Sequence, residues 1–281
     1  MKTPALARAR TLLFVPGNRP ERFDKALRSG ADAVVFDLED SVPADAKAAA
    51  RAAIGAAWPG LQAAAVPLVV RINTPEVEPG RDDLDWLSAL GTPAGVMVPK
   101  VESAAILERV GGRLPQAAIL PLIESAAGHA ALPDIARAGR VLRLVVGHID
   151  FMADTGLQCS DDERELIPLR FAVAMATRLG ALAPAVDGVT VGIDDDERLR
   201  EDTRRALRFG FGAKLCIHPR QVAIVHEAMM PSAAELRWAE RVIAADAAAR
   251  GAAVQLDGRM VDLPVVLQAR RTLARAALTR D

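Results

Sequence analysis

Along this 281-residue chain, charged side chains recur directly after short apolar runs. Ala33-Val34-Val35-Phe36 runs into Asp37-Leu38-Glu39-Asp40, Leu68-Val69-Val70 into Arg71-Ile72-Asn73, and Val96-Met97-Val98 into Pro99-Lys100. Leu122-Ile123 meets Glu124-Ser125, Val145-Val146 leads to His148-Ile149-Asp150, Val186 to Asp187-Gly188, and Cys216-Ile217 to His218-Pro219. One polar group after an apolar run marks only where a strand meets water. Seven of them with convergent charge compose a candidate site.

Glu124 and Asp150 follow consecutive runs, so their carboxylates are expected side by side. Two like charges that close are costly unless a cation intervenes or one of them is protonated. With no Cys or His pair beside them, hard oxygen donors suit Mg²⁺, completed by water and substrate oxygens. A second reading puts Glu124 in a salt bridge with a barrel arginine and Asp150 at a helix cap, and spacing supports both equally. Arg71 carries a guanidinium fork suited to a carboxylate or a developing oxyanion; its alternative is a structural pairing with Asp37 or Glu39. His218 reads as a structural hydrogen-bonder ahead of a general base, and His129, His148 and His226 as bystanders. Asp161-Asp162-Glu163 and Asp194-Asp195-Asp196-Glu197 read as acidic helix starts that complement the helix dipole.

Residues of this kind need a scaffold that gathers run ends in one place. The runs span residues 11–16, 33–39, 67–73, 95–100, 117–124, 142–150, 185–190 and 212–218. Several are apolar on consecutive residues, the pattern of strands buried on both faces. Between them lie Ala/Arg/Glu-rich segments of helical period, as where Leu84, Leu87 and Leu90 sit three apart. Pro20 and Pro43 suit first-turn positions, and Gly30 and Gly139 suit helix ends. Eight strands each followed by a helix predict the α/β class and a closed (β/α)8 TIM barrel, in which catalytic groups project from the C-terminal ends of the strands. An open doubly wound sheet would carry a Gly-rich phosphate loop after the first strand. Val15-Pro16-Gly17-Asn18-Arg19 is not one.

After Pro231 the pattern changes. Residues 232–250 read as one long helix with Ser232 as its N-cap, residues 252–263 contain a turn at Asp257-Gly258, and residues 264–278 form a basic amphipathic helix. Residues 1–230 are therefore predicted to be the barrel domain, and residues 231–281 a C-terminal helical extension acting as lid or oligomerisation segment.

Composition excludes other classes. Lys and Arg number 35 against 36 Asp and Glu, a net of −1, so no basic field invites nucleic acid. Aromatics are 4% with no Tyr, which removes base-stacking platforms. No apolar run approaches the ~18 residues of a membrane span. Lys2, Arg8 and Arg10 precede Thr11–Val15, a run too short for a signal-peptide core and without a cleavage site. Cys159 and Cys216 stand far apart with no CxxC, so neither disulfide framework nor zinc site is indicated. The expectation is a soluble cytoplasmic protein with no nucleic-acid or membrane partner.

Long blocks of this sequence resemble the citrate lyase β-subunit family, within the aldolase superfamily that includes malyl-CoA and citramalyl-CoA lyases. They are Arg10-Thr11-Leu12-Leu13-Phe14-Val15-Pro16-Gly17-Asn18-Arg19-Pro20-Glu21-Arg22-Phe23 and Gly30-Ala31-Asp32-Ala33-Val34-Val35-Phe36-Asp37-Leu38-Glu39-Asp40-Ser41-Val42. Val70–Asn73, Val98–Ser103, Leu122–Ala126, Gly210–Pro219 and Gly258–Val266 continue it in order, over nearly the whole chain. The resemblance implies a TIM barrel that binds Mg²⁺ and cleaves or forms a carbon–carbon bond beside a thioester. Carried over residue by residue, it makes Glu124 and Asp150 the metal ligands and Arg71 the substrate clamp. Asp262 resembles the acid/base that members supply from a C-terminal segment, often across a subunit boundary. The implied activity is Mg²⁺-dependent, reversible cleavage of a citramalyl-, malyl- or citryl-type CoA thioester to acetyl-CoA and an α-keto acid. A homo-oligomer, trimer or hexamer, is implied as well. Arg19, in the loop after the first strand, is expected to meet the CoA phosphates, with Lys25 a further candidate.

One departure concerns substrate identity. The family usually reads Gly-x-Glu-Asp-Leu where this chain has Gly147-His148-Ile149-Asp150-Phe151, so the metal Asp is kept and its acidic neighbour becomes Ile149. Thr155 also stands where Leu is common before Gly156. Three rivals remain open: a CoA-independent pyruvate aldolase, against which the Met260-Val261-Asp262 tail speaks; a citryl lyase subunit whose thioester rides on a carrier protein; and a thioesterase acting on malyl-CoA.

Overall fold

The computed structural model describes residues 5–277. Strands β1 (Thr11–Pro16), β2 (Ala33–Asp37), β3 (Leu68–Arg71), β4 (Gly95–Val98), β5 (Ala118–Ile123), β6 (Val145–Val146), β7 (Val186–Asp187) and β8 (Ala213–Cys216) are all parallel. They close into a barrel in chain order, β8 returning to β1. This is the expected (β/α)8 barrel. Leu12, Ala33, Val35, Val69, Met97, Leu120, Leu122, Val145, Val186, Ala213 and Leu215 fill its interior. Because strand side chains alternate, the intervening Leu13, Val34 and Phe36 are left to pack under helices. The helix Lys47–Gln62 buries Ala50, Ile54, Trp58 and Leu61, one stripe at helical spacing, and Phe23 meets Phe36 edge-on at 5.0 Å. Among the described residues no helix is long and apolar enough to cross a membrane.

The strands stop earlier than the apolar runs suggest. β6 is two residues long, and His148–Thr155 is helical, so Asp150 stands in a first helical turn and not at a strand end. Gly147 makes the switch. It leaves the strand, and an acidic side chain in the first turn then faces unpaired N–H groups.

The N-terminal end of the barrel is plugged by a fully buried arginine. Arg143 donates from Nε to the Pro184 carbonyl at 2.8 Å, and from Nη1 to the carbonyls of Leu6 and Ala9 at 3.1 and 2.7 Å. Burial pulls its pKa down to about 9, with the attraction of Asp32 opposing. Three carbonyls thus accept from one side chain.

The chain divides into two compact units, Met1–His226 and Glu227–Asp281. The second holds the helix Ala233–Ala248, started by a capping box between Ser232 and Glu235, then strands β9 (Val254–Leu256) and β10 (Arg259–Val261), and the helix Leu263–Ala277. Asp257 and Gly258 both take left-handed φ, 51° and 75°, as a two-residue type I′ hairpin turn requires. Ala239, Val242, Val261, Val266 and Ala269 form the core of this unit, and Arg259 lies 5.3 Å over the Trp238 ring. The expected helix end at Leu278 lies outside the described residues.

Arg143→Met keeps the volume but strands the three carbonyls. It is expected to lower unfolding free energy by roughly 3 kcal/mol, read as a shifted midpoint in urea.

Candidate active site

Glu124 follows β5 directly and is 3% exposed. Its Oε1 accepts the backbone N–H of Lys100 at 2.7 Å, which Lys100 presents from a left-handed conformation, φ 51°. Its Oε2 is buried and has no hydrogen-bond partner. Burial drives the Glu124 pKa up to about 8; the Lys100 amide opposes, while Asp150 and Glu39 push further up. Gly147 makes room for this carboxylate, because a Cβ there would stand 2.7 Å from the Cβ of Glu124 and collide with Oε2.

The two segments that carry Glu124 and Asp150 are tied together. Ser125 caps the helix Ala126–Ala130 by accepting from the Gly128 amide at 3.1 Å, and donates to Glu102 at 2.7 Å. The Ala126 amide donates to Asp154 at 2.8 Å, four residues after Asp150 on the same helix. Moving one segment away from the other therefore requires breaking the Ala126–Asp154 bond.

Arg71, the last residue of β3, shows the structural pairing that spacing had left open, and it also faces the cavity. Nε and Nη2 grip Asp37 at 2.6 Å each, and Nη1 lies 2.9 Å from Glu39 Oε2. Two of the five guanidinium N–H groups thus donate to Asp37, while Glu39 meets Nη1 as an ion pair. Phe14 lies beneath the fork, 4.8 Å from its centre to the ring. Burial would raise Asp37, but the bonds from Arg71 outweigh it and hold the carboxyl below its usual range. Glu39 is the reverse case, raised because burial outweighs its cations. Lys100 Nζ meets the other Glu39 oxygen at 2.7 Å.

A supporting layer fixes this row. Lys47 Nζ donates to the carbonyls of Leu38 and Glu39 at 2.8 and 2.7 Å. The Asn73 side chain bridges Leu38 and the fully buried Asp83, which also receives Arg51 at 2.8 Å.

Glu124, Asp150 and Arg71 line one cavity of about 290 Å³ at the C-terminal ends of the strands. Asp37 and Arg22 are the other charged groups in its wall; Phe14, Leu122, Val146, Ile149, Val189, Leu215 and Ile217 supply apolar surface. A second cavity of about 310 Å³ shares Phe14, Pro16, Arg22 and Ile217 with it, and adds Lys25 and His218. Arg19 lines neither. Its Nε pairs with exposed Glu21 at 2.6 Å, because the 3₁₀ turn Pro20–Arg22 sends Arg19 outward and brings Arg22 and Lys25 to the cavity wall. Asp262 belongs to the second unit, where it follows β10 and caps the helix Leu263–Ala277: its carbonyl accepts the Val266 amide at 3.0 Å and its Oδ1 the Val265 amide at 3.4 Å.

The histidines have distinct settings. His148 also lines the first cavity, is buried, and packs so tightly on Gly188 that a Cβ there would collide with its Nδ1. Burial lowers its pKa despite nearby Glu163 and Asp187. His218 Nδ1 accepts the Arg220 amide at 3.2 Å, the structural bond expected of it. His129 meets Phe151 edge-on, and His226 Nε2 lies 3.0 Å from Thr11 Oγ1 and 3.2 Å from Asp32.

Both acidic runs stand at helix starts: Asp195 caps the helix Asp196–Arg208, and Glu163 is the N-cap residue of the 3₁₀ turn Arg164–Leu166, although its side chain bonds arginines and not the cap amides. It takes φ 51° and receives Arg170, Arg198 and Arg205 at 2.6, 3.0 and 2.7 Å, with Arg170 continuing to buried Asp187. The left-handed turn aims its carboxylate at these arginines.

Sequence reasoning missed Phe14, Arg22 and His148 as cavity residues. Strict alternation along β1 marks Phe14 as inward; nothing local marked the others.

Donor chemistry fits a hard divalent cation. One buried carboxylate oxygen is unpartnered, a second carboxylate faces the same cavity, and among the described residues no group of three His, Cys, Asp or Glu converges. Two carboxylates with the remaining positions open is a Mg²⁺-like set.

The sequence model of the HpcH/HpaI aldolase/citrate lyase family matches residues 10–219. A citrate lyase subunit β-like protein of Deinococcus radiodurans is 39% identical, covering 98% of this chain and 99% of its own length. A (3S)-malyl-CoA thioesterase of Cereibacter sphaeroides is 33% identical, covering 95% and 94%. Among solved structures, CitE of Mycobacterium tuberculosis in complex with magnesium, acetoacetate and coenzyme A superposes with a TM-score of 0.86 at 34% identity, over 96% of this chain and 99% of that one. With three quarters of its length inside the family pattern and relatives alike from end to end, this chain belongs to the HpcH/HpaI aldolase/citrate lyase family.

Proposed function

We propose that the protein is a Mg²⁺-dependent carbon–carbon lyase that splits a 3-hydroxy-diacid thioester of coenzyme A into acetyl-CoA and an α-keto acid, reversibly. The observation that carries this reading is the buried, unpartnered Oε2 of Glu124, in the same cavity as Asp150 and Arg71. Related CitE structures contain magnesium with acetoacetate and coenzyme A, with pyruvate, or with oxaloacetate, which are products or product-like fragments of such cleavage.

Glu124 and Asp150 would hold the cation, which supplies Lewis acidity and a template for the hydroxyl and carboxylate oxygens of the substrate. The substrate hydroxyl passes its proton to solvent water, the adjacent carbon–carbon bond breaks to form the keto group, and its electron pair passes to the thioester as an enolate. Arg71 directs its remaining N–H groups at the developing oxyanion while Asp37 and Glu39 keep the fork from rotating. Asp262, contributed by a neighbouring copy in a homo-oligomer, protonates the enolate carbon to give acetyl-CoA, and removes that proton in the condensation direction. Arg22 and Lys25 present positive charge for the CoA phosphates beside the second cavity. Hydrolysis of a malyl-type thioester to free diacid and coenzyme A, the activity for which the Cereibacter relative is named, is the second reading. Released thiol in place of acetyl-CoA would identify it.

The deciding experiment incubates pure protein with citramalyl-, malyl- and citryl-CoA, with Mg²⁺ or EDTA. Acetyl-CoA and keto acid appearing only with Mg²⁺ support the lyase; no cleavage of any of the three overturns it.

The raised pKa of Glu124 fixes the sign of its effect on stability. The folded state holds this proton more tightly than the unfolded chain does, so metal-free stability falls as pH rises from about 4.5 to about 8. Glu124→Gln is therefore expected to melt higher than wild type in EDTA at pH 8.5 and to lose the rise in Tm that Mg²⁺ gives wild type. Arg71→Lys keeps a charge but not the fork, and should lower kcat about a hundredfold. Glu124→Gln and Asp262→Asn, each inactive alone, should recover turnover when mixed under conditions that exchange subunits; failure to do so would place Asp262 outside a neighbour's site.

A further inference from the structure

We propose that Ile149 selects the side chain of the substrate: the protein prefers thioesters whose carbinol carbon bears an alkyl group over those bearing a second carboxymethyl group there. This rests on the lyase reading above and narrows it to one substrate class.

Ile149 directly precedes Asp150 in the first turn of the helix His148–Thr155. It is 42% exposed and lines the cavity with Glu124 and Asp150. A lone exposed isoleucine calls for no explanation. This one lines the same cavity as Val146, Val189, Leu215 and Ile217. The cavity thus combines two chemistries, carboxylates and Arg71 together with aliphatic groups.

Charge bookkeeping shows what each part accepts. Among the described residues that line the cavity, the cations are Arg71 and Arg22. Arg71 is already paired with Asp37 and Glu39, and Arg22 is half-exposed, 3.9 Å from Glu21. One substrate carboxylate finds the cation site and Arg71. A second, on the substituent, would meet aliphatic surface and the carboxylates of Glu124 and Asp150, with half-exposed Arg22 the one other cation among the described lining residues. An unpaired buried charge is expelled, whereas a methyl or ethyl group gains from the same surface. Hydrogen in that place leaves the wall unfilled, a smaller loss.

The test compares citramalyl-CoA (methyl), malyl-CoA (hydrogen) and citryl-CoA (carboxymethyl) by kcat/KM with saturating Mg²⁺. The methyl substrate should exceed the carboxymethyl one at least a hundredfold, and the hydrogen one about tenfold. Ile149→Gln replaces the aliphatic wall with amide donors at a partly exposed position. It should shrink the methyl-to-carboxymethyl ratio at least tenfold, while Ile149→Val keeps that ratio within about threefold. Equilibrium binding supplies a readout independent of cleavage: in Mg²⁺, 2-oxobutyrate and pyruvate should bind wild type tighter than oxaloacetate, and the order should relax in Ile149→Gln. Citryl-CoA cleaved as well as citramalyl-CoA, or a ratio unmoved in Ile149→Gln, overturns this assignment and leaves the lyase reading intact. No cleavage of any thioester overturns the lyase reading, and the keto-acid order then decides for or against the wall at Ile149 on its own.

Discussion

A buried carboxylate with one oxygen satisfied and one left open is the constraint around which this molecule is arranged. Glu124 Oε1 is fixed by a backbone amide; Oε2 has none of the partners that burial normally demands. Elsewhere around the cavity, charges are matched. Asp37 has Arg71, and Glu39 has both Arg71 and Lys100. The two carboxylates left over are Glu124 and Asp150. A site that pairs every other acid so closely, yet leaves two acids facing one space, has the electrostatic shape of a divalent-cation site. The departure of the Glu124 pKa to about 8 measures what the protein bears in keeping that oxygen open.

Backbone geometry is spent on the same end. Lys100 is held in the left-handed region so that its amide points at Glu124, and Gly147 exists as glycine because a side chain would displace the carboxylate. A non-glycine residue in that region persists only where its surroundings over-determine it. Here the Glu124 acceptor on one side and the Glu39–Lys100 ion pair on the other supply that determination. The same lysine serves both halves of the site, its amide orienting a metal-side carboxylate and its ammonium closing the row that steadies Arg71. The two halves are mechanically linked through one residue.

Much of the barrel was legible because parallel strands buried on both faces leave near-continuous apolar runs, and all eight runs contain a strand. The ends of those runs were not legible. Val145 to Phe151 is apolar enough to pass for one strand, and only Gly147 signals the change to helix, so Asp150 was misplaced by one element while remaining beside Glu124. The capping box at Ser232 and the Asp257-Gly258 turn were readable, since each is set by local chemistry. Arg143, Asp83 and the arginines on Glu163 could not be read at all, because each partner lies on a distant element. Arg71 fell between. Its fork declared that it binds a planar acid, and only the fold could show that this acid is Asp37.

The apolar wall and the charged wall are complementary parts of one device. Aliphatic groups around the cavity lower the local dielectric, and this strengthens every charge interaction inside it. That is why Glu124 resists ionisation alone, and why Arg71 is more effective toward a nascent oxyanion than the same group would be in water. It also raises the cost of any charge that arrives without a partner. A polar residue in place of Ile149, Val189 or Ile217 would therefore act twice, loosening selection at the substituent and weakening the field at the reacting oxygen. Selectivity and rate enhancement at such a site share one physical origin, and a substitution on the uncharged wall reports on both.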